Sequence, residues 1–250
     1  MAKISVVINT YNAERHLEAV LQSVSGFDEV VVCDMESTDS TLDIARRHDC
    51  HIVTFPRGEH RIVEPARQFA IEHASHSWVL LVDADELVSP ALCEALYAHS
   101  NREDAAPGLF IPRKNYFMGR FMHCHYPDYL LRFFKRDAVN WPPYVHAVPQ
   151  IAGNTERLPA ARKELAFEHL ANDSVSDILR KTNSYTDYEL LKKKGKHYGT
   201  LAYVWRPFFR WFKAYILKGG CRDGLPGFIK ACLEGYYQLI MLSKMAEQRT

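Results

Sequence analysis

The sequence predicts an α/β fold in which a mainly parallel sheet is flanked by helices, with an amphipathic helical segment at the C-terminal end. Three observations support this prediction. Over the first hundred residues, short β-branched runs alternate with helical patterns. The runs are apolar without alternation, which is typical of parallel strands buried on both faces. After about Ser174 the pattern is helical to the end of the chain.

The first half of the chain alternates regularly between the two kinds of element. The predicted strands are Ile4–Ile8, Glu29–Cys33, His51–Phe55 and Trp78–Val82. The predicted helices are Glu14–Val24, Ser40–His48, Pro65–His76 and one that begins after Pro90. Ser89 and Pro90 are suited to be the N-cap and the first residue of that last helix.

From Leu109 the texture of the sequence changes. Two short aromatic-rich strands, Leu109–Pro112 and Tyr129–Lys135, lie among turns rich in Pro and Gly. This pattern predicts an antiparallel half that follows the parallel one.

The composition excludes some classes of protein. With 31 Lys and Arg against 30 Asp and Glu, the chain has no overall field that attracts nucleic acid, and no nucleic-acid partner is expected. The six cysteines show no paired spacing, which predicts reduced, mostly buried thiols. No signal peptide and no long apolar stretch is present, so the sequence predicts a cytoplasmic protein without a transmembrane span.

Polar residues follow three of the predicted strands. They are Asn9-Thr10-Tyr11-Asn12 after the first strand, Asp34 and Glu36-Ser37-Thr38-Asp39 after the second, and Asp83-Ala84-Asp85-Glu86 after the fourth. Open parallel sheets bind ligands beyond the carboxyl ends of their strands. We therefore expect these residues to meet at one rim of the sheet.

Asp83 and Asp85 give the strongest chemical signal. Residues i and i+2 of an extended chain point to the same side, so the two carboxylates can converge on one ion. Oxygen ligands of this kind suit Mg²⁺ or Mn²⁺, which also bind substrate phosphates. The alternative is that both are solvated loop residues or helix caps, but Ser89 already supplies a cap for the next helix.

Three further polar residues are weaker candidates. Asp34 could accept hydrogen bonds from a ribose or a base. Asp39 sits where the next helix begins, and capping alone is an equally good explanation for it. Arg67 could pair with a phosphate, or could lie on a solvated helix face. The sequence contains neither a G-x-G-x-x-G nor a P-loop motif, so neither a dinucleotide site nor a P-loop site is indicated.

These motifs together resemble glycosyltransferase family 2. The resemblance is carried by Ser5 to Asn12, by Val32-Cys33-Asp34 with Ser37 to Thr41, and by Trp78 to Glu86. The last of these stretches, with Tyr126-Pro127-Asp128-Tyr129 and Leu131-Arg132-Phe133, is similar to the lipopolysaccharide-core β-glucosyltransferase subgroup. The likeness covers roughly the first 150 residues and continues more loosely beyond them.

The resemblance implies the GT-A nucleotide-sugar fold, a nucleotide-diphosphate sugar as donor, and an inverting transfer assisted by Mg²⁺ or Mn²⁺. Asp85 would bind the metal, and Asp83 the metal or the ribose. The residues expected to contact the nucleotide are Thr10, Tyr11, Asn12, Asp34 and Arg67. Residues 1–173 would form the GT-A domain, with a nucleotide-binding half (1–100) and an acceptor half (101–173), and residues 174–250 a separate helical segment.

Two departures from the family pattern lie on the acceptor side. Where many relatives read Val-His-Glu, this chain reads Val145-His146-Ala147. Cys124-His125 stands where relatives often have Gly-Trp. If the relatives' glutamate is a base, its role is vacant here. Asp128 is then the candidate general base, because burial among aromatic residues would raise its pKa, although a structural role in the turn after Pro127 is equally expected.

Four histidines, His123, His125, His146 and His169, raise the question of a zinc site. No i, i+4 spacing on a helix and no C-x-x-C partner accompanies them, so ordinary surface or hydrogen-bonded histidines are favoured. His146 follows the family motif, and a contact with metal or acceptor is its alternative role.

The C-terminal segment is basic and aromatic. Between Leu190 and Lys230 there are ten basic residues and one acid, Asp223. On a helix that begins near Pro207, one face would carry Phe208, Trp211, Phe212 and Tyr215, and another Arg206, Arg210 and Lys213. This pattern indicates an interfacial helix on an anionic membrane surface. The alternative is a helix packed on the catalytic domain.

The resulting hypothesis is an inverting glycosyltransferase that uses a nucleotide sugar and a glycolipid, lipid-linked or lipopolysaccharide-core acceptor, peripheral on the inner face of the cytoplasmic membrane. Two rivals remain open. One is a polyprenyl-phosphate glycosyltransferase, whose acceptor is already ionised. The other is a non-catalytic, membrane-associated protein that binds nucleotide sugars.

Overall fold

The computed structural model describes residues 2–58, 63–143, 148–171, 174–192 and 198–248. The chain forms two compact units. The sheet unit comprises Met1–Lys114 and Pro127–Leu170, and the helical unit comprises Asn115–Tyr126 and Ala171–Thr250. The sequence did not indicate that Asn115–Tyr126, inside the expected acceptor half, groups with the C-terminal helices.

The described strands, in chain order, are β1 (Ile4–Thr10), β2 (Glu29–Asp34), β3 (His51–Thr54), β4 (Trp78–Asp83), β5 (Glu86–Leu87), β6 (Gly108–Lys114), β7 (Tyr116–Phe117), β8 (Arg120–Phe121), β9 (Asp128–Lys135), β10 (Val139–Asn140), β11 (Gln150–Ile151), β12 (Thr155–Arg157) and β13 (Phe167–His169). The described α-helices are α1 (Glu14–Ser23), α2 (Thr41–Arg47), α3 (Glu64–Glu72), α4 (Pro90–Ser100), α5 (Val175–Lys192), α6 (Ala202–Phe212) and α7 (Gly224–Glu247). The predicted elements of the first half are therefore confirmed, with ends that shift by a few residues.

The main sheet of the sheet unit has the strand order β3-β2-β1-β4-β9-β6-β13-β5, and β12 also pairs with β6. Strands β3, β2, β1 and β4 are parallel to one another. Strand β9 runs antiparallel to β4 and to β6, as the aromatic-rich strands predicted. The pairings of β6 with β12 and β13 are parallel, so the second half is mixed rather than purely antiparallel.

Both faces of the sheet are covered by apolar side chains. All seven residues of β1 are buried. Val6 and Ile8 pack with residues of α1, α2 and α4 on one face, and Val7 packs with residues of α3 on the other. An unbroken apolar strand is what burial on both faces requires, because successive side chains alternate between the faces.

The third predicted helix, Pro65–His76, ends earlier than expected, since α3 ends at Glu72. The reason lies in the connection to β4. The backbone N–H of Ser75 donates to the Glu29 carboxylate at 2.8 Å, and the Ser75 hydroxyl does so at 2.6 Å. These bonds hold the chain on β2 and draw it out of the helical path. The α4 cap is as predicted, with Ser89 Oγ accepting from Leu92 N at 3.0 Å.

The helical unit is built on α6 and α7. The prediction that its helix begins near Pro207 is wrong, because α6 begins at Ala202 and contains Pro207. An internal proline costs about 3 kcal/mol in helix stability, so packing must offset it. Tyr203 donates its hydroxyl to Leu242 O at 3.1 Å, and Gly235 lies so close to Pro207 that an added Cβ would be 3.0 Å from the Pro207 carbonyl oxygen. None of the helices in the described part of the chain is long and apolar enough to cross a membrane.

All six cysteines are free thiols, as expected. Cys33 and Cys124 are buried, whereas Cys221 and Cys232 are exposed, so burial is less general than predicted. Burial raises the pKa of Cys33 to about 12, which keeps that thiol protonated and inert.

Candidate functional site

The carboxyl ends of β2, β1 and β4 lie side by side, and we call this edge the rim. The parallel register pairs Thr10 with Asp34 and Asn9 with Asp83. The prediction that the polar residues after these strands share one rim is therefore confirmed. Tertiary pairing brings together groups as far apart in sequence as Asn9 and Asp83.

Asp34 is the most deeply buried acid among the predicted site residues, with 1% of its surface exposed. Its Oδ1 accepts from the Thr10 hydroxyl at 2.9 Å, and its Oδ2 accepts from the backbone N–H of Ser37 at 2.8 Å. The Thr10 hydroxyl comes from the end of β1, and the Ser37 N–H comes from the loop between β2 and α2. Asp34 therefore joins these two loops, and this structural role accounts for part of the signal that it gave in the sequence.

Asn12 and Tyr11 occupy the outer part of the rim. Asn12 has a φ of 49° and accepts the backbone N–H of Thr38 on its Oδ1 at 2.8 Å. Tyr11 is 41% exposed, and the Arg57 guanidinium lies 3.6 Å from the centre of its ring. The guanidinium thus covers one face of an otherwise exposed ring in a cation–π contact.

Asp39 is explained by helix capping. Its Oδ1 accepts from Thr41 N at 3.0 Å at the start of α2. Its Oδ2 accepts from Glu14 N at 3.2 Å at the start of α1. One carboxylate thus serves two helix N-termini, where a negative charge is also favoured by the helix dipoles.

Asp83, at the end of β4, is held by two arginines. Arg67 Nη2 on α3 donates to Oδ1 at 2.9 Å, and Arg132 Nη2 on β9 donates to Oδ2. Arg67 is 8% exposed and Arg132 is 6% exposed. The sequence singled out Arg67 but assigned no role to Arg132, which reaches Asp83 because β9 pairs with β4.

The pKa values of the neighbouring acids Asp83 and Glu86 are shifted in opposite directions. Burial opposes ionisation of Asp83, but Arg132 and Arg67 outweigh it and hold its pKa well below the usual range. Glu86 is fully buried, and burial together with the negative charge of Asp83 raises its pKa. A pair of carboxylates with diverging pKa values beside a rim is typical of functional sites.

Asp85 lies in a different environment from Asp83. It sits in the turn between β4 and β5, where its Oδ2 is 3.4 Å from His169 Nε2 and its backbone carbonyl accepts from Leu170 N at 2.7 Å. The expected convergence of Asp83 and Asp85 on one ion is not the arrangement seen, because the chain turns after Asp83 and the Asp83 oxygens bind arginines. His169, for which the sequence favoured an ordinary surface or hydrogen-bonded role over a zinc site, comes beside Asp85 through the pairing of β13 with β5.

The donor set fits a divalent cation at Asp85 better than at Asp83. The Asp85 side chain is 34% exposed and offers the carboxylate oxygens that Mg²⁺ and Mn²⁺ bind together with phosphate oxygens and water. The imidazole nitrogen of His169 beside it is a ligand that Mn²⁺ accepts more readily than Mg²⁺, which is the harder cation. Within the described residues, no group of three or more His, Cys, Asp or Glu side chains forms a closed metal site. A metal here would take its remaining ligands from the substrate.

Glu86, Arg113 and Asp128 form a second network of ion pairs. Arg113 on β6 donates to Glu86 Oε1 at 3.0 Å and, through Nη2, to Asp128 Oδ2 at 2.7 Å. Asp128 was expected to be a carboxyl buried among aromatic rings. Its side chain is instead 36% exposed and paired with Arg113, because the β6–β9 register places the two residues opposite each other. Its surroundings are thus charged rather than apolar.

Several buried donors around Asp83 have no hydrogen-bond partner among the described residues. They are Arg67 Nε and Nη1, Arg132 Nη1 and Trp141 Nε1. The Arg67 guanidinium lies 5.0 Å from the centre of a ring of Trp141. Buried donors without partners are costly, so a cluster of them, most of them cationic, is suited to an anionic ligand. Nothing in the sequence around Trp141 indicated this.

In the described part of the chain, His123 and His125 belong to no metal cluster. His123 Nδ1 lies 2.5 Å from Asp223 Oδ1, and His123 N donates to Asp223 Oδ2 at 2.9 Å. His125 Nε2 lies 3.9 Å from Glu234. The prediction of ordinary hydrogen-bonded histidines is confirmed for His123. Val145-His146-Ala147 lies outside the described residues.

The predicted aromatic face of the C-terminal helix is divided in the structure. The Trp211 and Tyr215 rings stack at 5.5 Å, and both contact Phe228 of α7 edge-on. Arg210 donates to Glu234 of α7 at 3.0 Å. The packed side of α6 therefore includes residues from both predicted faces, and a different set of apolar side chains is exposed.

Solved structures show the class of this fold. A mannosyltransferase from Pyrobaculum calidifontis, solved in complex with GDP-Man and Mn²⁺, matches with a TM-score of 0.59 at 15% identity, covering 100% of this chain and 88% of that chain. Residues 1–349 of Staphylococcus aureus TarS match with a TM-score of 0.50 at 14% identity, covering 98% and 92% of the two chains. With the mainly parallel sheet and its flanking helices, these likenesses define the fold as GT-A.

The chain belongs to glycosyltransferase family 2, since the model of that family matches residues 5–154. It is therefore a glycosyltransferase. Similar curated proteins include an uncharacterized glycosyltransferase of Rickettsia felis, 24% identical over 99% of this chain and 90% of the relative. The lipopolysaccharide core biosynthesis glycosyltransferase LpsC of Rhizobium meliloti is 25% identical over 98% of this chain and 92% of its own length.

Proposed function

We propose that this protein is an inverting, metal-assisted glycosyltransferase that moves a sugar from a nucleotide-diphosphate sugar to a glycolipid or lipopolysaccharide-core type acceptor. The observation that carries the proposal is the rim, where the Asp85–His169 pair follows directly on the arginine-held Asp83. A cation site beside a cluster of unpaired cationic donors matches a diphosphate and its metal. The GDP-Man and Mn²⁺ bound to the Pyrobaculum enzyme, and the name of LpsC, support the donor class and the acceptor class respectively.

The donor would be held in two parts. Arg67 and Arg132 would bind the diphosphate through the donor atoms that Asp83 leaves unpaired, and Asp83 would fix the orientation of both guanidinium groups. The nucleoside would lie against the outer rim, with Tyr11 and Asn12 beside it. Thr10 would act through Asp34, whose carboxylate it already binds.

Asp85 and His169 would hold the divalent cation in this proposal. The chemistry that Mg²⁺ or Mn²⁺ supplies when bound is neutralisation of the charge that develops on the departing diphosphate. Asp83 acts through the arginines and not as a metal ligand, which revises its expected role.

The test is a screen of nucleotide sugars for donor hydrolysis by the full chain, with Mg²⁺, with Mn²⁺ and with a chelator. We expect slow hydrolysis of one donor class that requires the metal. Arg132→Gln should weaken binding of the matching nucleoside diphosphate, whereas Arg162→Gln, at an exposed pair with Glu164, should not. Nucleotide binding without turnover would favour the non-catalytic rival, and absence of both would contradict the donor assignment.

Asp128 is the proposed general base. Its pairing with Arg113 is a reason to keep a second candidate function, transfer to a polyprenyl phosphate. A polyprenyl-phosphate acceptor is already ionised and needs no base, and the pairing of Asp128 with Arg113 fits that reaction as well. Asp128→Asn separates the two. Transfer should fall by about 10²-fold or more if Asp128 is a base. Asp137→Asn, at an exposed turn, is the matched control. Transfer near the wild-type rate in Asp128→Asn favours the polyprenyl phosphate.

The protein is further proposed to act in the cytoplasm, at the inner face of the membrane. The exposed aromatic and basic side chains of the helical unit support an interfacial contact. Flotation with anionic and neutral vesicles tests this, and equal behaviour with both would contradict it.

A further inference from the structure

The helical unit contains a cavity of about 1110 Å³ that the proposed transfer reaction does not use. One wall is an apolar stripe along α6, formed by Leu201, Val204, Trp205 and Phe208. Their spacing of 0, 3, 4 and 7 places them on one side of a helix. Each is more than half exposed, from 54% for Phe208 to 85% for Leu201. A contiguous apolar stripe in contact with water indicates a binding surface.

Positive charge predominates along the same cavity. The lining contains one acid, Glu234, and four Lys or Arg side chains, which are Arg206, Arg210, Lys213 and Lys218. Glu234 already accepts from Arg210 at 3.0 Å, and the Arg206 guanidinium lies 4.5 Å from the Tyr198 ring centre. No ion pair between described residues includes Lys213 or Lys218. Among the residues that the structure describes, neither lysine therefore lies within ion-pair distance of an acid.

A π-helical turn explains why both lysines line the cavity. Residues Lys213–Leu217 form a π-helix, and Lys218 N donates to Lys213 O at 2.9 Å, a bond that spans five residues. A π turn has more than four residues, so side chains five apart lie on nearly the same side of it. In a regular α-helix they would point 140° apart. Single π turns of this kind recur at functional sites.

We infer that this cavity binds one phosphate-bearing lipid, with the phosphate at Lys213 and Lys218 and the alkyl chain along the apolar stripe. The stripe favours an alkyl chain, and the two lysines, which join no ion pair between described residues, favour an anion. A phospholipid-type amphiphile has both. This inference rests on the proposed membrane contact and narrows it from a charged surface to a single saturable site. Such a site would hold the enzyme at the membrane by one lipid molecule.

The test uses the full chain and decyl phosphate below its critical micelle concentration, with binding measured by calorimetry. We expect saturable one-to-one binding, and much weaker binding of decyl maltoside or of inorganic phosphate alone. The double variant Lys213→Gln/Lys218→Gln should bind about 25-fold more weakly, because each cation near an anionic lipid contributes about fivefold in affinity. Lys3→Gln/Arg222→Gln removes the same charge from exposed positions outside the cavity and should bind as the wild type does.

Val204→Glu is a second probe, since it places a negative charge on the apolar stripe at a position that is 72% exposed and should fold normally. It should abolish binding of decyl phosphate. Anionic vesicles assayed in parallel separate the two proposals. If the protein binds vesicles but shows no saturable binding of decyl phosphate, the lipid site in the cavity is contradicted. The same holds if both double variants lose equal affinity for decyl phosphate. Neither result contradicts the general membrane contact. Donor hydrolysis in the same samples reports on the transfer function independently.

Discussion

The rim of the sheet unit and the cavity of the helical unit differ in how their charged side chains are paired. At the rim, Asp83 is bound by two arginines, and Arg113 joins Glu86 to Asp128. In the cavity, Lys213 and Lys218 face an apolar stripe and have no acidic partner among the described residues. Both regions are cationic toward a ligand, but the rim holds its arginines in ion pairs, whereas Lys213 and Lys218 of the cavity join none between described residues.

The difference teaches what each region can recognise. Ion pairs with buried partners hold side chains at defined positions, which suits a ligand whose reacting atoms must be placed accurately. Lysines on flexible stems beside an apolar wall attract an anionic amphiphile without defining its orientation. The rim is therefore suited to chemistry and the cavity to attachment.

Breaking the rim network should have the largest effect. Asp83→Asn leaves two nearly buried guanidinium groups without a counter-charge, and we expect the free energy of unfolding to fall by about 3–5 kcal/mol. Asp85→Asn, whose side chain is 34% exposed, should cost under about 1 kcal/mol. Urea denaturation of both variants measures the contrast, and equal losses would show that Asp83 does not anchor the arginines.

The same pair of variants should reverse its order in Mn²⁺ binding to the free protein, because Asp85 and not Asp83 is the proposed metal ligand. Asp85→Asn should keep the fold and lower metal-dependent donor hydrolysis by about 10²–10³, because a group that places the metal charge is lost. Mn²⁺ binding to the free protein, followed by electron paramagnetic resonance, should weaken in Asp85→Asn and in His169→Gln. Full activity of Asp85→Asn in the presence of chelator would overturn the assignment.

The sequence predicted the strands and strand-end acids that form the rim, but not the side chains that pair with those acids. Unbroken apolar runs such as Ile4–Ile8 mark buried strands locally, and the acids that follow them mark the strand ends. Arg132 and His169 reach the rim through β9 and β13, whose pairing partners are tens of residues away. No local pattern encodes such a register, so the residues that distinguish Asp83 from Asp85 were not predictable.

The helical unit was less predictable for a different reason. Pro207 was interpreted as a helix start because proline favours the first turn. The helix continues through it because packing against Gly235 and Leu242 outweighs the local penalty. The aromatic side chains were correctly placed on a helix, but which of them pack against α7 depends on tertiary contacts.

Acidification gives a smaller effect that sharpens the role of Asp83. Burial alone would raise the pKa of Asp83, but Arg132 and Arg67 outweigh it and depress the folded-state pKa. The ionised carboxylate therefore stabilises the fold at pH values above its unfolded-state pKa, which is near 3.9. That contribution is lost as pH falls through the folded pKa. The stability gap between wild type and Asp83→Asn should therefore narrow by about 1 kcal/mol between pH 5 and pH 3. Urea midpoints across this range measure it, and a constant gap would contradict the electrostatic explanation.

The smallest expected change concerns Trp205, which is 59% exposed on the apolar stripe. Trp205→Ser should alter the free energy of unfolding by no more than about 0.5 kcal/mol, since an exposed side chain contributes little to the fold. It should nevertheless weaken the flotation of the protein with anionic vesicles, because an interfacial ring is lost. Trp211→Ser is the matched comparison, because that ring stacks on Tyr215 and contacts Phe228, and its loss should destabilise the helical unit by about 2–3 kcal/mol. If Trp205→Ser destabilises the protein as much as Trp211→Ser, the stripe is a packed structural face and the contrast between rim and cavity fails.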